Sequence, residues 1–394
     1  MNKPIHFPED FIWGAATAGH QIEGNNLNSD WWARENASDS QVSERSGDAA
    51  DSYHRFREDI AILAESGLQA YRFSLEWARI EPVEGQFSSA EIAHYSSMVE
   101  YCLEIGVQPV VTLNHFTVPL WFSASGGWKN PKAPELFERF TRRVLPILEG
   151  RVEYVVTINE PNITAMMAAR DEGGDEGGDE DLVAGALPKP VPAVAEGLIA
   201  AHKRAVPVLR SAGIKAGWSV APQQFFADPG AEDVLKEYAY PREVQFLEAS
   251  CGDDFIGIQA YTRTRITKDG PVPAPVDAEK TLTGWEYYPP AIAEAVQQAW
   301  DVCEIPVFVT ENGIATSDDL RRVEYTAEAL RALRKVMDGG VPLLGYLHWS
   351  LLDNYEWGSY KPTFGLVAFD AETFARTPKP SLAWLGAVAR NGGF

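Results

Sequence analysis

Glu160 and Glu311 each follow a short apolar, β-rich run, and they lie far apart in the chain. Two carboxyls brought face to face suit the cleavage of an acetal. One, protonated, stands by the leaving oxygen; the other, ionised, lies below the sugar ring, about 5–5.5 Å away in retaining enzymes. The pair works only if its surroundings split the two proton affinities. Arg72 and Tyr261 are the residues that could do this, because a guanidinium and a phenol hydroxyl beside Glu311 favour its charged form.

Other apolar runs also close with polar groups: Gln21 and Glu23; Arg72, Ser74 and Glu76; Asn114 and His115; Asn159 beside Glu160; Gln259 and Tyr261; Asn312 beside Glu311; and Trp349, followed by Glu356 and Trp357. A single acid at such a place is more often a surface or salt-bridged group. A whole set of hydroxyl-binding side chains, interleaved with indoles able to stack on the apolar face of a pyranose, points instead to a sugar site. Most of the 12 tryptophans are core or surface filler, and Trp349 and Trp357 stand out by position.

Something must bring these ends together. Eight candidate strands run over Phe11–Ala16, Ala70–Leu75, Gln108–Leu113, Val152–Ile158, Lys215–Val220, Phe255–Tyr261, Pro306–Thr310 and Leu343–Trp349. Helical patterns lie between them, at Ser52–Ser66, Glu91–Ile105, Ala133–Leu148, Val191–Ser211, Pro290–Val302 and Val323–Met337. Strands alternating with helices predict a parallel sheet, and eight of them without an intervening linker predict a single (β/α)₈ TIM barrel over residues 1–394, active at the end where strands pass into βα loops. The tract Asp171–Asp181, DEGGDEGGDED, has no apolar surface to bury and reads as a flexible, solvated loop near that end.

The 394 residues carry a formal net charge of −22, so a phosphate backbone or an anionic membrane surface would repel the molecule. A small neutral or cationic partner fits better, with neither nucleic acid nor membrane. No apolar run approaches the eighteen or so residues of a spanning helix, and the opening MNKPIHFPED lacks the apolar stretch of a signal peptide, which reads as cytoplasmic. Cys102, Cys251 and Cys303 show neither CxxC nor Cys/His spacing, and the expectation is three buried thiols with no disulfide framework and no structural zinc. The seven histidines show no HxxxH or HxH pattern, so neither a metal nor another cofactor is expected.

From Phe7 to about Trp384 the sequence resembles glycoside hydrolase family 1, the retaining β-glucosidases and β-galactosidases. FPEDFIWGAATAGHQIEG (Phe7–Gly24) resembles the family's N-terminal signature and YRFSLEWARI (Tyr71–Ile80) its second-strand segment. TINEP (Thr157–Pro161) is similar to its acid/base motif and VTENG (Val309–Gly313) to its nucleophile motif. The resemblance implies that Glu160 protonates the glycosidic oxygen, that Asn159 bonds the sugar 2-hydroxyl, and that Glu311 attacks the anomeric carbon. HWSLLDNYEWGSYKPTFGL (His348–Leu366) is similar to the eighth-strand region, which implies that Glu356 binds the 4- and 6-hydroxyls while Trp349, Trp357, Gln21 and His115 line the terminal subsite.

The likeness has departures. Gln259, Ala260 and Tyr261 stand where the family usually has Asn-Tyr-Tyr, Phe116 stands where many members carry Trp, and the region after Pro161 aligns poorly. The branch that cleaves 6-phosphorylated sugars lacks the Glu356–Trp357 pair, and the thioglucosidase branch has Gln where Glu160 stands. The resemblance therefore implies a non-phosphorylated β-D-glucoside or short oligosaccharide, with β-galactoside or β-fucoside preference or transglycosylation as alternatives. A silent sugar-binding barrel is the remaining reading.

Overall fold

The computed structural model describes residues 4–171 and 187–394. Eight parallel strands close a barrel: β1 (Ile12–Ala16), β2 (Ala70–Ser74), β3 (Gln108–Asn114), β4 (Tyr154–Asn159), β5 (Lys215–Val220), β6 (Ile256–Gln259), β7 (Val307–Asn312) and β8 (Leu343–Trp349). Each strand pairs with its sequence neighbours, and β8 returns to β1 with Ala16 opposite Trp349. The eight expected strands are the eight barrel strands, with ends displaced by no more than two or three residues.

Helices follow the strands: α1 (Ser52–Ser66), α2 (Ser89–Glu104), α3 (Ala133–Leu148), α4 (Pro192–Ser211), α5 (Glu232–Ala239), α6 (Ala291–Cys303), α7 (Asp319–Asp338) and α8 (Pro380–Asn391). Their starts follow capping chemistry. The Ser88 hydroxyl accepts from the Glu91 amide at the start of α2, and the Asp318 carboxylate accepts from the Leu320 and Arg321 amides at the start of α7. A further helix, Pro161–Asp171, begins directly after Glu160. Asp171 is its last residue, and the rest of the acidic tract predicted as a loop lies outside the described residues. None of the described helices is long and apolar enough to cross a membrane.

Strand alternation sorts side chains into two cores. In β2, Tyr71 and Phe73 pack outward under the helices, while Ala70 and Arg72 point into the barrel. At the lower end the lumen is plugged by rings: Tyr154 meets Phe255 and Phe308 edge-on, with centroids 5.7 Å away in both cases. The mouth, by contrast, is filled with polar groups, and that change along the barrel axis makes one end a scaffold and the other a site.

At the mouth the alternation is deliberately broken. Tyr154 and Val156 of β4 face the lumen, so strict alternation would send Asn159 outward, but the pairing of β4 with β5 shifts between Val156 and Asn159. In β7, Phe308 and Thr310 face inward, and the pairing with β6 shifts between Val309 and Glu311. Each shift re-aims the residue that follows it into the barrel, the known use of a bulge beside an active site.

The cysteine expectation is corrected. Cys251 and Cys303 form a disulfide, and only Cys102 is a free, buried thiol. The two partners are 52 residues apart, and no short spacing announced them. They meet because Cys251 lies just before β6 and Cys303 closes α6 just before β7, so adjacent strands bring them to the barrel's lower rim.

Candidate active site

Arg72 is fully buried at the centre of the mouth and uses every arm of its guanidinium. Nε donates to Thr112 Oγ1 at 2.9 Å, Nη1 to Glu311 Oε1 at 2.5 Å and Nη2 to Asn159 Oδ1 at 2.6 Å. On the other side of Glu311, the Tyr261 hydroxyl donates to Oε2 at 2.7 Å. Both oxygens of the Glu311 carboxylate are thus held by donors, one of them a permanent cation.

Glu160 sits at the start of the helix Pro161–Asp171 with a left-handed backbone, φ 45°, its amide bonded to Ser219 O at 2.7 Å. It has no comparable cation of its own. Burial raises its carboxyl well above the usual range, and the Glu311 charge raises it further. Burial raises Glu311 too, but Arg72, Tyr261 and Gln259 pull it back. A single proton shared by the pair therefore resides on Glu160, leaving Glu311 ionised. That is the asymmetry an acid and a nucleophile need.

A second group of side chains lies beside the carboxyls. Asn159 Nδ2 donates to His115 Nε2 at 3.2 Å. That assigns the His115 proton to Nδ1, and burial with the nearby Arg72 holds the imidazole neutral, well below its ordinary pKa. Gln21 Nε2 bonds Asn354 Oδ1 at 2.8 Å, Tyr355 O at 2.9 Å and Glu356 Oε2 at 3.3 Å, and its buried Oε1 has no partner, which leaves an acceptor for a hydroxyl. Trp349 Nε1 donates to Glu356 Oε1 at 3.1 Å. Withdrawal from water pushes the Glu356 carboxyl up to about 8.

Rings complete the enclosure. The His115 ring lies nearly parallel to those of Trp349 and Trp357, with centroids 5.8 Å and 6.3 Å away, and Trp357 meets Phe116 edge-on at 5.0 Å. Trp285 stands 5.7 Å from Tyr261. Beside the Phe116 and Trp357 rings opens a cavity of about 510 Å³, lined also by Trp31, Trp128, Met167 and Val194. It shares those two rings with the site and touches none of Glu160, Glu311, Arg72 or Tyr261.

All ten residues predicted from sequence, Gln21, Arg72, His115, Asn159, Glu160, Tyr261, Glu311, Trp349, Glu356 and Trp357, belong to this one constellation. Two strand-end acids do not. Glu23 turns to Arg79 and Tyr95, and Glu76 holds Asn26 and Thr117, so both brace loops. Sequence reasoning missed Asn354, Trp285 and the structural part played by Gln259. Gln259 was within reach, since it occupies a lumen-facing position of β6; Asn354 and Trp285 lie in irregular loops where no periodicity marks them. Among the described residues no cluster of three or more His, Cys, Asp or Glu side chains is arranged to hold a metal.

Comparison with known proteins places the fold in a family. The family profile described as Glycosyl hydrolase family 1 matches residues 3–268 and 242–394. A beta-glucosidase of Agrobacterium sp. is 32% identical, the match covering 97% of this chain and 95% of that protein. The crystal structure of beta-glycosidase BGL167 superposes with a TM-score of 0.90 at 42% identity, over 98% of this chain and 97% of the other. The family 1 b-glucosidase from Thermotoga maritima in complex with isofagomine lactam superposes with a TM-score of 0.89 at 27% identity, over 100% of both chains.

Proposed function

This chain belongs to glycosyl hydrolase family 1, and from that premise we propose that it is an exo-acting, retaining β-glucosidase working on non-phosphorylated β-D-glucosides as one catalytic unit. The observation that carries the reading is the unequal surroundings of Glu160 and Glu311: Arg72 and Tyr261 hold the two oxygens of the Glu311 carboxylate, while burial and the Glu311 charge raise the carboxyl of Glu160. Names of relatives support the glycone: the Agrobacterium and Thermotoga maritima proteins are β-glucosidases.

In the first step the Glu311 carboxylate attacks the anomeric carbon while Glu160 gives its proton to the glycosidic oxygen. The C1–O bond breaks, the leaving alcohol departs neutral, and the sugar remains as an ester of Glu311. Glu160, now charged, takes a proton from water; the resulting hydroxide attacks C1 and frees Glu311. Tyr261 and Arg72 take up the charge that returns to Glu311. Asn159, His115, Gln21 and Glu356 bind the sugar hydroxyls, and Trp349 and Trp357 wall the ring.

The groups touching the Glu356 carboxyl are Trp349, Gln21 and Asn354, none of them cationic. A sugar 6-phosphate placed there would lose its hydration without gaining a positive partner, which favours the plain glycoside. As to location, the cytoplasmic reading stands against the Cys251–Cys303 bridge, a bond that persists where thiols oxidise.

The test is release of nitrophenol from the 4-nitrophenyl β-D-glucoside and β-D-galactoside by wild type and Glu311→Ala, with and without EDTA, plus the anomeric configuration of the first product by NMR. Turnover by wild type, loss in the variant, indifference to chelator and a β-anomer as first product are expected. An α-anomer, or full activity in Glu311→Ala, would sink the mechanism; a faster galactoside would correct the glycone.

A further inference from the structure

Gln259 lies buried in the lumen between the residue assigned to the sugar 2-hydroxyl and the residue assigned to the anomeric carbon. Its Nε2 donates to Asn159 Oδ1 at 2.8 Å and reaches Thr310 Oγ1 at 3.3 Å. On the ladder between β6 and β7 it is the direct partner of Glu311. Its own Oε1 is buried and unpartnered.

These contacts bear on a choice that Asn159 must make. An amide can be turned by 180°, exchanging an acceptor for a donor at nearly the same place. Asn159 Oδ1 receives two hydrogen bonds, one from Arg72 Nη2 at 2.6 Å and one from Gln259 Nε2 at 2.8 Å. Turning the amide would set its NH₂ against two donors. The oxygen is therefore pinned, and Nδ2 is pinned with it on the opposite side, where one hydrogen serves His115 Nε2 and the second is left for a ligand.

Gln259 is itself oriented. Turned the other way, its oxygen would face Asn159 Oδ1, acceptor against acceptor. Below it, Thr310 Oγ1 is paired with Ser219 Oγ at 2.8 Å, and that hydroxyl pair has room because residue 257 is glycine: a Cβ there would lie 2.3 Å from Ser219 Oγ. The order thus runs from Arg72, which can only donate, to Asn159 Oδ1 as acceptor and on to Gln259 Nε2 as its second donor, with the Thr310 and Ser219 hydroxyls turning to suit.

We propose that Gln259 is a positioning residue for the 2-hydroxyl contact: it holds the Asn159 amide with Nδ2 toward the sugar, and so sets how strongly the transition state is gripped through that hydroxyl. The inference rests on the β-glycosidase reading above. Arg72 shares the task but is also ion-paired with Glu311, and Gln259 is the uncharged second donor to the Asn159 oxygen.

The experiment compares wild type, Gln259→Leu, Asn159→Ala and the double variant on two substrates, the 4-nitrophenyl β-D-glucoside and its 2-deoxy analogue. In Gln259→Leu, kcat/KM for the glucoside is expected to fall about tenfold or more, the size of one lost hydrogen bond to a well-placed group, and for the 2-deoxy analogue less than about threefold. The double variant is expected to be no worse than Asn159→Ala alone, because both changes remove one contact. Equal losses on both substrates, or additive losses in the double variant, overturn the proposal and assign Gln259 to packing. An unchanged selectivity with the acid limb of the pH profile moved upward overturns it in favour of direct action on Glu311. Should Gln259→Leu not fold, Gln259→Asn, whose shorter arm draws the donor back from Asn159, is read on the same substrate pair. Inactivity of wild type on the glucoside would instead remove the functional reading itself.

Discussion

Arg72 Nη1 lies 2.5 Å from Glu311 Oε1, with both side chains shut away from water. A buried ion pair of this kind is a poor source of stability, since desolvation of two charges offsets much of their attraction. Its consequence is chemical: the pair keeps a carboxylate ionised in a place that would otherwise protonate it.

Replacing Arg72 with Met leaves Glu311 with burial and only the Tyr261 and Gln259 hydrogen bonds to oppose it. The Glu311 carboxyl then rises, and less of it is ionised at neutral pH. We expect the acid limb of kcat/KM against pH to move up by about one unit or more and the plateau to fall by about a hundredfold or more. A variant with an unmoved acid limb would show that Arg72 does not tune Glu311.

Glu160 is held protonated by burial and by the Glu311 charge, so the alkaline limb belongs to it. Loss of the Glu311 charge in the glycosyl-enzyme lowers Glu160 at the moment it must become a base. Glu160→Gln removes the proton donor without removing bulk. First-step rates with an alkyl glucoside, whose leaving oxygen must be protonated, are expected to fall about a thousandfold or more, whereas a dinitrophenyl glucoside, which leaves unaided, loses far less. Equal losses with both leaving groups would deny Glu160 the role of acid.

The legible and illegible parts of this molecule divide along physical lines. The eight strands could be read because each is a short apolar run bounded by turn residues, and a barrel was their natural closure. The carboxylates could be located because chemistry collects where such runs end. Which way those ends point was hidden. Period-two alternation from Phe308 and Thr310 sends Glu311 outward, and only the register shift after Val309 returns it to the lumen. A shift of pairing is a property of two strands together, so neither strand's sequence displays it. The Cys251–Cys303 bridge was hidden for the same reason: their proximity is created by the neighbouring places of β6 and β7. Gln259 was visible in the sequence as a polar strand end that departs from a motif, and its contacts with Asn159 and Thr310 give it meaning.

Glu243 offers a test of stability apart from the site. It is buried, accepts from the Gln223 amide at 2.5 Å and from Gln298 Nε2 at 3.4 Å, and burial pushes its carboxyl up to about 7 from 4.5. In the fold it is protonated where the unfolded chain has already ionised, so the folded state binds more protons between those values. Stability from this group is complete below about pH 4.5 and lost as pH rises through about 7, by about 3 kcal/mol in total. Glu243→Gln cannot ionise. Its Tm should match wild type near pH 4 and exceed it by a few degrees at pH 8; a constant difference across that range would refute the assignment.

The disulfide gives the last prediction. Cys251 is exposed, so a reductant can reach the bond. The bridge closes a segment of 52 residues, and the loop-closure entropy it removes from the unfolded chain is about 4 kcal/mol at most. For a chain of 394 residues that corresponds to about 5 °C in Tm, since the unfolding entropy grows with length. The bond joins the approaches to β6 and β7 at the lower rim, while Tyr261 and Glu311 stand at the upper ends of the same strands. Reduction, or the Cys251→Ala/Cys303→Ala double variant, is therefore expected to lower Tm by about that amount while kcat at 25 °C stays within about twofold of wild type. Scanning calorimetry beside an activity assay separates the two effects: an unchanged Tm would mean the bridge constrains nothing, and a large loss of kcat would mean that strain at the lower rim reaches the Tyr261–Glu311 contact.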